Sequence, residues 1–80
     1  MLDMQVGQIV FSKAGHDKNR AFVIVSVDND FAEICDGETR LINKPKKKKM
    51  KHLQPVNKVI NILDLHDFEV KKALKPYNKK

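Results

Sequence analysis

Residues 21–37 read AFVIVSVDNDFAEICDG, and this stretch decides the fold class. Its first seven residues alternate between two apolar faces rich in β-branched and aromatic side chains, which predicts a central β-strand. The DND at 28–30 predicts a tight reversal, because short Asp and Asn side chains bond nearby backbone and tolerate positive φ. Asp36-Gly37 then separates two strand-like runs, FAEIC and ETRLI, which is a strong signal for a second hairpin.

Shorter apolar runs lie on both sides of this stretch. The run at 6–11 predicts an earlier strand, and the polar SKAGHDKNR after it predicts a loop. Further along, KHLQP predicts a last short strand that ends at Pro55, because proline cannot donate to a sheet ladder. Four to five short strands with tight turns indicate a mainly β fold, a small barrel that occupies residues 1–55.

The carboxyl-terminal extension, residues 56–80, changes character. VNKVINIL is apolar enough to pack on the barrel, and LHDFEVKKALKP predicts a short helix at about 67–75. Asp67 is the expected cap at the start of this helix, Pro76 is its expected stop, and the final YNKK is expected to fray. Its apolar face consists either of Leu65, Phe68 and Ala73 or of Val70 and Leu74.

Length and composition restrict the class of protein. Eighty residues with a hydrophobic fraction of 41% suit one small folded domain. Cys35 is the only cysteine, so an intramolecular disulfide is excluded. The sequence has neither a run of about 18 apolar residues nor a basic stretch followed by an apolar leader. We therefore expect a cytoplasmic, soluble monomer without membrane association.

The net charge of +6 lies in one internal part of the chain, residues 44–51, which we call the lysine segment. It holds six lysines and no acid, and the rest of the chain carries ten basic against ten acidic residues. Residues 13–20, which we call the basic loop, form a second cationic stretch with Asp17 as its one acid. This distribution predicts one cationic side that faces a polyanion.

The order of glycines, basic residues and strands resembles a known family. VGQIVFSKAGHDKNRAFVIVSVDNDFAEICDGETR resembles the KOW module, and GETRLINKPKKKKMKHLQP continues like bacterial KOW-domain RNA-binding proteins related to the fourteen-e family of large-subunit ribosomal proteins. The resemblance covers about residues 5–55 and implies an SH3-like barrel that binds ribosomal RNA. Gly7, Gly15 and Asn19 fall at its turn positions. Asn19 stands where KOW modules usually carry glycine, so we expect a left-handed backbone there.

Basic side chains are the candidate RNA contacts. Lysines tethered between two strands lose less entropy on binding than lysines on a free tail. Aromatic residues are few, which favours contact with the backbone of structured RNA over base-by-base reading of single strands. The candidate contacts are Lys13, His16, Lys18, Arg20, Arg40, Lys44, Lys46, Lys47, Lys48, Lys49, Lys51 and His52.

Other interpretations of these features remain open. The lysine segment is also compatible with an inert solvated connector or a nuclear-import signal. A KOW-type protein-interaction module in transcription or translation and a structural ribosomal protein with ribosomal proteins as partners are alternative functions. His16, His52 and Cys35 lack the spacing of metal ligands, and no nucleophile or second carboxylate accompanies the His16–Asp17 pair. We expect neither a cofactor nor enzymatic activity.

Overall fold

Five antiparallel strands form one sheet in the order β4-β3-β2-β1-β5, and one helix follows them in the chain. The structure is a computed structural model that describes residues 4–63 and 65–78. Its elements are β1 (Gln8–Ser12), β2 (Ala21–Asp28), β3 (Phe31–Cys35), β4 (Lys46–Lys49), β5 (Leu53–Val59) and α1 (Asp67–Asn78). The predicted mainly β fold with a short carboxyl-terminal helix is confirmed. Neither helix in the described ranges is long and apolar enough to cross a membrane.

The sheet curls because its two edge strands are consecutive in the chain. A single turn of 3-10 helix, Met50–His52, joins β4 to β5. Three residues span at most ~11 Å, so this connection holds the two edges close together and gives the sheet a barrel-like shape. The inner face forms a buried core of Val10, Phe22, Ile24, Ala32, Ile34 and Leu53.

Helix α1 covers part of the outer face of the sheet. Val70 and Leu74, four residues apart, are 0% and 1% exposed, whereas Phe68 is 69% exposed. Of the two predicted apolar faces, the one formed by Val70 and Leu74 therefore docks on the barrel. Burial of each of these side chains contributes about 1.5–3 kcal/mol of stability. Their partners in the outer core are Ile9, Ala21, Val23 and Cys35.

The start of α1 differs from the prediction. Asp67 does not cap the helix, because its Oδ1 accepts a hydrogen bond from the backbone N–H of Ile42 at 2.7 Å. Instead the Glu69 carboxylate accepts the backbone N–H of His66 at 2.8 Å, as the third residue of a capping box does. The Asp67 side chain thus ties the helix to the segment after β3.

The end of α1 also differs from the prediction. Pro76 does not stop the helix, which continues to Asn78. A proline in the last turn removes few helical hydrogen bonds, and the side-chain Oδ1 of Asn78 accepts the backbone N–H of Ala21 at 2.8 Å. Tyr77 packs edge-on against Phe11, with ring centroids 6.1 Å apart. The predicted fraying is therefore wrong for residues 77–78, and residues 79–80 lie outside the described ranges.

The turn at Asn29 is confirmed, but the predicted hairpin at Asp36-Gly37 is wrong. Asn29 has a φ of 48° and lies in the two-residue connection from β2 to β3. Residues 38–42 form no strand. The buried Asp36 carboxylate accepts the backbone N–H groups of Glu38 at 2.9 Å and Arg40 at 2.8 Å. A side chain that binds local N–H groups in this way competes with a sheet ladder.

Strand β3 pairs instead with part of the lysine segment. The prediction placed this segment in a connection, whereas Lys46–Lys49 forms β4, with Ile34 opposite Lys46 and Phe31 opposite Lys49. The last strand is also longer than predicted, because β5 passes through Pro55 and ends at Val59. Strand β5 has one neighbour, and an edge strand tolerates a residue without an N–H group.

Candidate nucleic-acid interface

The four lysines of β4 point alternately to two sides of the sheet. Lys46 and Lys48 lie opposite the core residues Ile34 and Ala32, so their stems start on the inner side. Lys48 is only 8% exposed, whereas Lys47 on the other side is exposed. The lysine segment is therefore not a uniform row of free charges.

The inner lysines converge on the acid of the basic loop. Lys48 Nζ lies 2.7 Å from Asp17 Oδ1, and Lys46 Nζ lies 3.0 Å from Asp17 Oδ2. The Ser12 hydroxyl donates to Asp17 Oδ1 at 2.7 Å, and Lys48 Nζ also donates to the carbonyl of Ala14 at 2.8 Å. These contacts fasten β4 to the loop between β1 and β2.

The Asp17 carboxylate keeps its charge because of these partners. Burial by itself raises the pKa of Asp17, but hydrogen bonds from Lys48, Ser12 and Lys46 outweigh it and hold the pKa well below the ordinary range. One negative charge thus faces two ammonium groups, and the cluster keeps one net positive charge. Lys46 and Lys48 serve mainly to hold the loop in place.

The backbone of the basic loop has two left-handed residues. Gly15 has a φ of 84°, and Asn19 has a φ of 72°, which confirms the glycine-like backbone expected at Asn19. The Asn19 N–H donates to the Ser12 carbonyl at 2.8 Å and closes the loop at its base. The side chains of Lys13, His16 and Lys18 are exposed on the closed loop.

A shallow concavity of about 560 Å³ connects the basic loop with β4. We call it the basic concavity, since four basic residues lie along it and Phe22 is part of its lining. Two come from the basic loop, one from the loop after β3 and one from β4. The two cationic stretches of the sequence are thereby brought to one side of the molecule. The four basic residues are His16, Arg20, Arg40 and Lys46.

Arg20 is partly engaged within the protein. Its Nη2 lies 3.1 Å from Asp36 Oδ2 and 3.3 Å from Glu38 Oε2, and its side chain is 40% exposed. Burial raises the pKa of Asp36, but hydrogen bonds from Thr39 and from nearby backbone N–H groups, with the charge of Arg20, lower it overall. Within the described residues, Arg20 Nε is buried and has no hydrogen-bond partner. Arg20 therefore joins the basic loop to the loop after β3 and keeps part of its guanidinium open.

The remaining candidate contacts lie around the basic concavity or beyond it. Lys47 Nζ lies 4.8 Å from the centre of the Phe31 ring, on the side of β4 that faces away from Asp17. His52 is half-buried, and its carbonyl accepts the backbone N–H of Lys13 at 2.8 Å. The other exposed candidates are Arg40, Lys44, Lys49 and Lys51.

The sequence interpretation missed two features of this surface. It did not give Asp17 the role of anchor, although a single acid in an otherwise basic loop is a readable signal for an internal ion pair. It also omitted the lysines of α1, which recur at helical spacing on the exposed side: Lys71, Lys72 and Lys75.

Within residues 4–63 and 65–78, no cluster of His, Cys, Asp or Glu is arranged to hold a metal ion. The thiol of Cys35 is buried. Burial, together with the negative charges of Asp67 and Asp36, raises its pKa to about 12. Cys35 is therefore a packing residue of the outer core and lacks the thiolate character of a reactive cysteine.

Neither a scan against protein-family models nor a search of curated proteins finds a match. The resemblance to KOW proteins stays a prediction, and function has to be inferred from the geometry of the basic concavity and its surroundings.

Proposed function

We propose that this protein is a non-catalytic RNA-binding module of the KOW type that contacts the sugar-phosphate backbone of structured RNA. Ribosomal RNA is the target class that the family resemblance implies, in the context of the ribosome or translation. The observation that carries the proposal is the basic concavity, where basic residues of three chain segments lie along one open depression. Such convergence of positive charge suits a polyanion.

The chemistry of the exposed residues fits phosphate better than a small substrate. Exposed lysines act as point charges toward phosphate, and an exposed arginine such as Arg40 can form a two-point contact. Among the described residues that line the basic concavity, the hydroxyl group belongs to Thr39, and its Oγ1 donates to Asp36 Oδ2 at 2.6 Å. The Asp36 carboxylate also accepts the backbone N–H groups of Glu38 and Arg40, so this hydroxyl is part of the structure of the loop after β3. The site thus offers charges for binding.

The salt dependence of RNA affinity tests the proposal. A structured ribosomal RNA fragment is titrated with the protein at several salt concentrations, and binding is followed by fluorescence anisotropy. Each lost phosphate contact lowers the slope of log affinity against log salt by about 0.7–0.9. Arg40→Gln, at an exposed residue of the basic concavity, is expected to have this effect. Lys58→Gln is the matched control and is expected to leave the slope unchanged. Lys58 is exposed in β5, beside the start of β1 at Gln8, and the basic loop follows the other end of β1.

Two outcomes contradict the proposal. The first is wild-type protein that shows no salt-dependent affinity for the fragment. The second is an equal slope change for Arg40→Gln and Lys58→Gln, because a site located at the basic concavity requires a larger change for Arg40→Gln.

Recovery of the protein in large-subunit particles distinguishes a permanent ribosomal subunit from a transient factor. A permanent subunit is recovered in stoichiometric amount.

The position of His16 supplies an additional readout. His16 is exposed along the basic concavity. His16→Lys places a permanent positive charge there, so its slope of log affinity against log salt is expected to be steeper than that of His16→Gln by about 0.7–0.9. Equal slopes for the two variants would place His16 outside the contact.

One observation favours a second candidate function, a protein-interaction module. Val6 and Val59 are each 46% exposed and Leu63 is 79% exposed, and Val59 lies against Gly7 next to Val6. Exposed apolar residues away from the basic concavity suit a protein partner. A complex that survives nuclease treatment and is lost in Leu63→Asp, while RNA affinity is unchanged, would support this function.

A further inference from the structure

Helix α1 presents an aromatic and cationic stripe to solvent. Phe68, Lys71, Lys72 and Lys75 stand at helical positions i, i+3, i+4 and i+7 and therefore share one face. Phe68 is 69% exposed, so it contributes little to the core. An exposed aromatic side chain on the same face as three lysines is suited to contact a binding partner.

This stripe borders a second concavity of about 530 Å³, which we call the helix concavity. Arg20 lines both the helix concavity and the basic concavity, so the two depressions adjoin at this residue. Lys71 Nζ is held by Glu38 Oε1 at 3.0 Å. Lys72 and Lys75 form no salt bridge with any described residue, and both are exposed. The net positive charge of the basic concavity thus continues onto α1.

The aromatic ring of Phe68 is supported from one side. The His66 ring stacks on it with centroids 5.9 Å apart and planes inclined by 18°. His66 is in turn fixed by Glu69, whose Oε1 lies 3.1 Å from His66 Nδ1. The two rings form a small platform at the start of α1, beside the helix concavity.

We propose that α1 carries a second RNA contact, in which one unpaired base stacks on Phe68 while Lys72 and Lys75 contact the adjoining phosphates. This inference rests on the proposed RNA-binding function and extends it from backbone contact to recognition of a duplex that has an unpaired nucleotide. Aromatic faces accept any base by stacking, and lysines at the next helical turns meet the backbone. An acidic protein segment would use the lysines but would gain nothing specific from a flat aromatic platform.

Two RNA probes test the inference. One is a blunt RNA hairpin, and the other is the same hairpin with a short unpaired 3′ extension that carries 2-aminopurine. Wild-type protein is expected to bind the extended hairpin roughly 5- to 150-fold more tightly than the blunt one and to quench the 2-aminopurine fluorescence. Phe68→Leu, which keeps apolar bulk without a ring, is expected to remove the quenching and the part of the added affinity that comes from stacking. Phe68→Tyr is expected to retain both.

The lysines are tested with the same probes. Lys72→Gln and Lys75→Gln are each expected to lower the salt slope for the extended hairpin by about 0.7, the value per contact for single strands. The slope for the blunt hairpin is expected to stay unchanged. Lys58→Gln again serves as the matched control, and thermal unfolding verifies that the exposed substitutions leave the fold intact.

The outcomes separate this inference from the proposed function. If the blunt hairpin binds with a normal salt slope but the extension adds no affinity, or if Phe68→Leu behaves as wild type, the inference is overturned and the proposed function stands. If neither hairpin binds at low salt, both are overturned. If polyglutamate displaces the extended hairpin equally from wild type and Phe68→Leu, the stripe is a plain cationic surface and stacking is refuted.

Discussion

Lys48 and Lys47 are neighbours in a run of four lysines, yet we predict opposite roles for them. Lys48 is 8% exposed and donates to Asp17 Oδ1 at 2.7 Å and to the Ala14 carbonyl at 2.8 Å. Lys47 is exposed and lies over the Phe31 ring. Replacement by methionine keeps most of the apolar stem of each side chain and removes its ammonium group. We expect Lys48→Met to reduce stability and Lys47→Met to reduce RNA binding.

The expected loss of stability follows from the contacts of Lys48. Both hydrogen bonds of Lys48 are charge-assisted, because the ammonium donor is ionised, and such a bond contributes about 1.5–3 kcal/mol. Removal of the ammonium group also removes the cost of burying its charge, which offsets part of this loss. Asp17 keeps Lys46 and Ser12 as partners, which limits the cost of an unpaired carboxylate, so we expect a loss of about 2–3 kcal/mol. A domain of this size has about 4–12 kcal/mol in total. Lys47→Met removes a partly exposed cation–π contact that contributes about 0.5–1 kcal/mol.

Urea unfolding measures the difference. With a slope of about 1 kcal/mol per molar urea, Lys48→Met is expected to lower the midpoint by about 2–3 M, and Lys47→Met by less than about 1 M. In RNA titrations, Lys47→Met is expected to have the larger effect of the two variants. Lys47→Met lowers the salt slope by about 0.7–0.9, and Lys48→Met leaves it unchanged once binding is compared at full folding.

Acid unfolding gives an independent check through Asp17. Its pKa in the folded protein is lowered from the ordinary value of 3.8, so its contribution to stability is present above that value and disappears as the pH falls toward the folded pKa. Lys48→Met raises the folded pKa of Asp17 toward its unfolded value. The variant is therefore expected to lose less stability than wild type between about pH 5 and about pH 2.

An anchoring role for Lys48 would be refuted if Lys48→Met lowered the free energy of unfolding by less than about 1 kcal/mol, since the buried ammonium group donates two hydrogen bonds. A reduction of the salt slope by Lys48→Met equal to that of Lys47→Met would also refute it. Such a result would mean that Lys48 leaves Asp17 and reaches the RNA.

Three further predictions follow from single positions. Asn19→Gly is expected to stay within about 1 kcal/mol of wild type and Asn19→Val to cost about 1–3 kcal/mol in urea unfolding, because the φ of 72° strains a β-branched residue; equal stabilities would contradict this. Gly37→Ala is expected to cost more than about 2 kcal/mol and to loosen α1, because the added Cβ would lie 2.1 Å from the Asp67 carbonyl oxygen; a wild-type amide spectrum would disprove it. Cys35, whose thiol pKa burial raises to about 12, is expected to resist iodoacetamide in the folded protein and to react in urea, as measured by mass spectrometry; rapid labelling of folded protein would show that the thiol is accessible.

Local patterns predicted the elements that local physics controls. The alternation in residues 21–27 gave β2, and the Asx residues at 28–30 gave its turn, because both depend on neighbouring residues alone. The presence of a helix that begins near residue 67 was also predicted from the sequence pattern. Its termini were not, because Asp67 is drawn to Ile42 and Asn78 to Ala21, and these contacts join residues 25 and 57 positions apart.

The hairpin at Asp36-Gly37 shows why a strong local signal can fail. Its turn chemistry is suited to a hairpin, but the Asp36 carboxylate binds the N–H groups that a following strand would need. Gly37 is required for a different reason, since its φ is 76° and the backbone of α1 leaves no room for a Cβ atom. The sequence correctly indicated turn-forming residues at Asp36 and Gly37, but it did not indicate that they contact local N–H groups and α1 instead of forming a hairpin.

The sequence by itself determined the amount and sign of charge, the apolar alternation of the strands and the presence of one helix. The tertiary structure alone decided which charges are free. Lys48 and Asp17 are 31 residues apart, and they meet because β3 pairs with β4 and because the short 3-10 helix brings the sheet edges together. A local pattern records the chemistry of a side chain, whereas its burial depends on strand register and closure, and these are set by contacts distant in the chain.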